Sequence, residues 1–79
     1  MVVRELPKIR FEGADWFVDD RLKQVRLVEV PWVQIEFETH DYFDMFIWLI
    51  EHGELVEARE YVDAMVEEGS ATETGEKLA

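Results

Sequence analysis

Trp32-Val33-Gln34-Ile35-Glu36-Phe37, followed at once by Thr39-His40-Asp41-Tyr42-Phe43-Asp44-Met45-Phe46-Ile47-Trp48-Leu49-Ile50, holds the point where the chain changes its hydrophobic period. Up to Phe37 the apolar residues alternate. Val33, Ile35 and Phe37 share one side of an extended segment, and Trp32, Gln34 and Glu36 the other. From Thr39 the spacing is helical. Phe43, Phe46, Ile47 and Ile50 recur at i, i+3, i+4 and i+7, which predicts a helix to about Glu51 or His52. Thr39 or Asp41 is placed to cap its start, Asp44 adds negative charge in the first turn, and Gly53 suits the left-handed position that ends it.

Working downstream, Glu54 to Glu67 predicts a second helix. Leu55, Ala58, Arg59, Val62, Met65 and Val66 form its stripe, with Glu54, Glu57, Glu60, Asp63 and Glu67 on the other side. A joint of one or two residues makes the pair a helical hairpin. Ser70 to Ala79 is small, polar and charged. The expected organisation is one α+β domain over residues 1–68 with a disordered acidic tail over 69–79.

Working upstream, Ile9 and Phe11 alternate with Lys8 and Arg10, and Glu12-Gly13-Ala14-Asp15 reads as a turn into a second strand at Trp16-Phe17-Val18. Asp19-Asp20-Arg21-Leu22 reads as another turn. Gln24 to Val30 alternates again, with Val25, Leu27 and Glu29 on one face, and Pro31 marks a bend. The fold class is therefore α+β, a three- or four-stranded antiparallel meander followed by an α-helical hairpin.

The helix over Tyr42–Ile50 has one charge in nine residues. Beyond its Phe43/Phe46/Ile47/Ile50 stripe, Tyr42, Met45, Trp48 and Leu49 are also aromatic or apolar. A surface helix needs a stripe only a little wider than about 100°. A helix apolar nearly all round needs cover on more than one side, and a small domain has few layers to give. Small domains also lean on disulfides, metals or oligomerisation, and with no cysteine the first route is closed. The expected completion is a second copy, in a homodimer or higher oligomer with Tyr42, Met45, Trp48 and Leu49 at the interface.

Charge limits the partners. Met1–Val28 carries six basic and five acidic residues, whereas Glu29–Ala79 carries two basic and fourteen acidic ones, within a net charge of -11. Such a surface repels nucleic acid and anionic lipid, so neither nucleic acid nor membrane is an expected partner. The apolar run is too short for a bilayer, which needs about 20 residues, and the first residues lack a signal-peptide core, which points to the cytoplasm. The absence of asparagine, only two glutamines and abundant glutamate are a thermophile-like pattern.

Chemistry-bearing groups are sparse. Arg21 and Arg26 bracket the Asp19–Leu22 turn, and their guanidinium forks suit a carboxylate or phosphate, with Trp16 as a third candidate lining residue. The competing role of the turn is local, with Asp19 accepting backbone N–H bonds. His40 and Asp44 stand at i, i+4, but two ligands do not hold a metal. Asp19/Asp20 and Glu67/Glu68 are acid pairs of a kind that any acidic protein has. With Ser70 the only serine and no nucleophile–base set, no glycine-rich phosphate loop and no ligand cluster, neither an enzyme nor a cofactor is expected.

Phe17-Val18-Asp19-Asp20-Arg21-Leu22-Lys23-Gln24-Val25-Arg26-Leu27-Val28, with Pro31 and Ile35-Glu36-Phe37 downstream, resembles a group of small uncharacterised archaeal and bacterial proteins. Their shared pattern is roughly F-V-D-x-R-L-x-Q-x-R-x-V, then Pro and I-x-F. The likeness covers about a quarter of the chain and implies a compact β-rich unit. Where that group usually has polar residues around the proline, this chain has Val30, Trp32 and Val33.

Two functions lead the expectations, with ligand binding or catalysis at the Arg21/Arg26 turn as a third. The first is a small oligomeric interaction module, a regulator or adaptor. The second is an acidic mimic of nucleic acid. In it Glu54, Glu57, Glu60, Asp63, Glu67, Glu68, Glu73 and Glu76 imitate spaced phosphates and occupy the basic site of a DNA-binding protein.

Overall fold

The computed structural model describes residues 6–75. Strands β1 (Lys8–Phe11), β2 (Ala14–Asp19), β3 (Gln24–Leu27) and β4 (Gln34–Phe37) precede helices α1 (His40–Glu51) and α2 (Leu55–Glu67), and β5 (Ala71–Thr74) follows. All five strands form one antiparallel sheet in sequence order. The meander and helical hairpin are as the sequence implies, but the strand count is not. Residues 71–74, expected in a disordered tail, form the fifth strand, whereas residues 76–79 lie outside the described part.

Each turn has a local cause. Phe11 pairs with Ala14, leaving Glu12 and Gly13 as a two-residue loop. Both have positive φ (55° and 74°), as a hairpin matched to the twist of its strands requires. After β3, the Val33 N–H donates to the Val30 carbonyl at 2.9 Å, so Pro31 occupies the second position of a β-turn, where its fixed φ fits. β3 therefore stops at Leu27, short of the expected Val30.

Alternation sorts the sheet into two faces. Ile9, Trp16 and Leu27 align across strands, as do Val18, Val25, Ile35 and Glu73. With Phe11, Val33, Phe37 and Ala71 these point inward. Lys8, Phe17, Arg26, Gln34 and Thr74 form a row on the outer face. The core is aromatic. Phe46 of α1 meets Phe11 edge-on at 5.3 Å between ring centroids and Phe37 at the same distance, and Phe43 also packs on Phe37. Trp16 is 1% exposed, and its indole N–H donates to the Phe11 carbonyl at 2.9 Å, which satisfies its polar atom.

Thr39 caps α1: its hydroxyl oxygen accepts from the Tyr42 N–H at 3.3 Å. The first-turn acid is Asp41 rather than Asp44. Both helices end alike. The Glu54 N–H reaches back to the Leu49 carbonyl and the Gly53 N–H to that of Ile50. The Ser70 N–H reaches Met65 and the Gly69 N–H reaches Val66. These are Schellman closures, with Gly53 and Gly69 left-handed. The second turns the chain back, so that the Glu38 N–H donates to the Ser70 carbonyl and β5 zips along the open edge of β4.

Candidate functional site

Helix α1 buries Phe43, Phe46 and Ile50 against the sheet. Its opposite side faces out. Met45 is 47% and Trp48 49% exposed, while Tyr42 and Leu49 are half-buried beside α2. The four residues named from the sequence thus lie together, with Met45 and Trp48 on the outward ridge and Tyr42 and Leu49 on the side toward α2. Trp48 stacks on the His52 ring at 4.0 Å, and His52 Nδ1 donates to the Trp48 carbonyl at 2.8 Å. The indole is therefore fixed on one face and open on the other. His52 stands here as a helix C-terminal residue, where a hydrogen bond to the last carbonyls is favourable.

Between the helices runs an open groove of about 530 Å³ lined by Met45, Leu49, Tyr61, Glu57 and Glu60. Tyr61 forms part of its floor, and its hydroxyl donates to the Tyr42 carbonyl at 3.2 Å. Burial raises the phenol above its ordinary value of 10.0, with Tyr42 and Glu68 adding to the shift. The groove is shallow and its lining almost wholly apolar, with the exposed Glu57 and Glu60 at its α2 border.

A second cluster went unseen in the sequence. Arg59, counted in the apolar stripe of α2, turns its guanidinium to three acids. It meets Glu73 at 2.7 and 3.1 Å, Asp63 at 2.6 and 3.1 Å, and Glu12 at 3.1 Å. Glu12 sits in the β1–β2 turn and Glu73 on β5, so one side chain ties the two edge strands of the sheet to α2. The hydrogen bonds to Glu73 raise the Arg59 pKa further, against the cost of burial. The available signal was a cation inside an apolar stripe, which demands acidic partners.

The arginine turn does not assemble into a pocket. Arg21 is exposed in the turn, and Arg26 projects from the outer face of β3, whereas Trp16 is buried on the inner face. Arg26 Nε is buried without a hydrogen-bond partner among the described residues. Asp19 takes the local role, its carboxylate accepting the Leu22 N–H at 3.2 Å. His40 Nε2 donates to the Asp20 carbonyl at 3.0 Å, joining the start of α1 to this turn. Among the described residues no three His, Asp or Glu side chains are grouped to hold a metal ion. Nearby, Lys23, Glu36, Glu38 and Ser70 edge a cleft of about 240 Å³, where the Ser70 hydroxyl donates to Glu68 at 3.1 Å. Among the described residues, that serine's side-chain partner is the exposed Glu68 carboxylate.

No protein-family model, curated protein or solved structure matches the chain. Among the described residues no helix is long and apolar enough to cross a membrane.

Proposed function

We propose that this chain is a protein-interaction module and that its working surface is the outward ridge of α1 together with the groove beside it. The carrying observation is the half exposure of Met45 and Trp48 on a helix whose other side already fills the core. Large apolar side chains left adjacent on a small domain are characteristic of surfaces covered by a partner. A second copy and a different protein are both occupants of the right kind. The reading is met either by a homo-oligomer, with Tyr42, Met45, Trp48 and Leu49 at its interface, or by a different protein on the same residues, and it assigns the protein no catalytic step.

The test places a photo-reactive diazirine residue at position 45 or 48 in the producing cell, with position 8 on the outer sheet face as control. A discrete adduct from 45 and 48 that is missing from 8 supports the reading. An adduct of twice the 9.4 kDa chain mass identifies a second copy. Equal labelling from all three positions, or none, overturns it.

The acidic-mimic reading draws on a separate observation. Glu54, Glu57, Glu60 and Glu67 are exposed and form no ion pair among the described residues. Asp63 and Glu73, also in the expected phosphate-like row, are spent on Arg59. With Glu68, which accepts the Ser70 hydroxyl, that leaves five carboxylates without an ion pair on and beside α2 among the described residues. Retained binding to a basic target after charge reversal of Glu54, Glu57 and Glu60 would exclude this role.

A further inference from the structure

Resting on the reading of the α1–α2 face as the working surface, we propose that its occupant is an amphipathic helix with lysine or arginine along one flank. That helix comes from another protein, not from a second copy of this chain. The groove offers Met45, Leu49 and the Tyr61 ring as an apolar floor, and Glu57 and Glu60 as a rim on the α2 side. The exposed Trp48 extends the apolar ridge by one turn of α1. A helix laid in a groove presents anchors at i, i+3, i+4 and i+7, and the flank beside those anchors meets whatever lines the rim. Here the rim is anionic, so the matching flank is cationic. Met45 is unbranched and repacks readily around a variety of inserted side chains.

The charge of the helices argues against a second copy on the same face. Arg59 is the only lysine or arginine in α1 and α2, and it is held by Glu12, Asp63 and Glu73. The two helices otherwise present Asp41, Asp44, Glu51, Glu57, Glu60 and Glu67. A twofold pairing is self-complementary, so it would bring these carboxylates toward one another with no free cation in the helices to answer them. An apolar helix with a basic flank removes that repulsion and covers the same surface.

The experiment uses the full chain and a synthetic peptide of about eighteen residues, five helical turns. Leucine occupies i, i+3, i+4 and i+7, and lysine the remaining positions. A scrambled peptide of equal composition and a leucine–glutamate counterpart serve as controls. Binding is followed by NMR through the Met45 methyl and the Tyr61 ring. The expected result is saturable one-to-one binding that shifts both signals and weakens with salt. Both controls should bind at least about tenfold more weakly. Glu57→Lys with Glu60→Lys should also lower affinity at least about tenfold, as rim charges steer and select partners. Both positions are exposed, and an unchanged amide spectrum elsewhere shows that the variant is folded.

Equal binding of the scrambled peptide would reduce the effect to bulk charge and overturn the proposal. So would shifts confined to outer-face residues such as Phe17 and Gln34. A wild-type dimer that Met45→Glu dissociates would overturn the choice of occupant while leaving the interaction reading intact. Absence of binding by every peptide overturns the proposal alone, because cross-linking from positions 45 and 48 tests the broader reading separately.

Discussion

Arg59 and Glu73 offer the sharpest test of how this small sheet keeps its last strand. Strand β5 is four residues long and buries only Ala71, so apolar contact alone anchors it weakly. The Arg59–Glu73 contact is bidentate, at 2.7 and 3.1 Å. The two side chains are 27% and 33% exposed, intermediate between surface and core. Exposed pairs contribute about 0.2–1 kcal/mol, and bidentate charge-assisted geometry lifts a pair above that median. Solvent screening at this exposure holds the coupling to about 1 kcal/mol.

A double-mutant cycle of Arg59→Met and Glu73→Gln, read by urea unfolding, isolates that coupling from the loss of either side chain alone. Arg59→Met by itself should cost more, about 2 kcal/mol, because it also strands Glu12 and Asp63 beside Glu73 without a cation. Part of that cost should vanish in high salt, as repulsion among the three acids is screened. Amide exchange should quicken at Thr72 and Thr74 before it does at Val25 or Ile35, since β5 opens locally. A coupling under about 0.3 kcal/mol, within the additivity error, would refute the argument that this ion pair anchors the strand.

Phe46→Ala removes a fully buried ring at the meeting point of Phe11 and Phe37, and should cost about 3–5 kcal/mol in urea denaturation, enough to unfold much of the population. Tyr61→Phe keeps the ring and loses the hydrogen bond to Tyr42, for about 1 kcal/mol at neutral pH. Because the folded phenol is raised above its ordinary 10.0, its contribution is intact below that value and is lost as pH climbs through the higher folded one. Thermal scans above pH 10 should therefore show a shallower alkaline decline for the phenylalanine variant, and parallel curves would contradict the burial argument.

The elements up to Glu67 were legible because each has a local signature. Val33, Ile35 and Phe37 alternate and are all buried, whereas Trp32 is 70% exposed. Phe43, Phe46 and Ile50 recur at helical spacing and line the core. Thr39, Pro31 and Gly53 act through backbone chemistry that depends on near neighbours. Strand β5 had no such signature. Ala71-Thr72-Glu73-Thr74 is polar, and its strand character depends on the unpaired edge of β4 and on Arg59, both distant in sequence. The Thr72/Thr74 alternation between Gly69 and Gly75 was the available hint.

The candidate site divides in the same way. An excess of apolar residues around α1, and a chain too short to hide them all, could be read from sequence alone. Which of them remain outside was a tertiary outcome. Placing α1 with Phe46 at the centre of the sheet fixes its rotation, and that rotation turns Met45 and Trp48 to solvent and Leu49 to the groove. The neighbourhood of Glu57 and Glu60 to that apolar floor required the helices to pack side by side. Periodicity determines what a helix can bury, but only packing decides what lies beside the part left exposed.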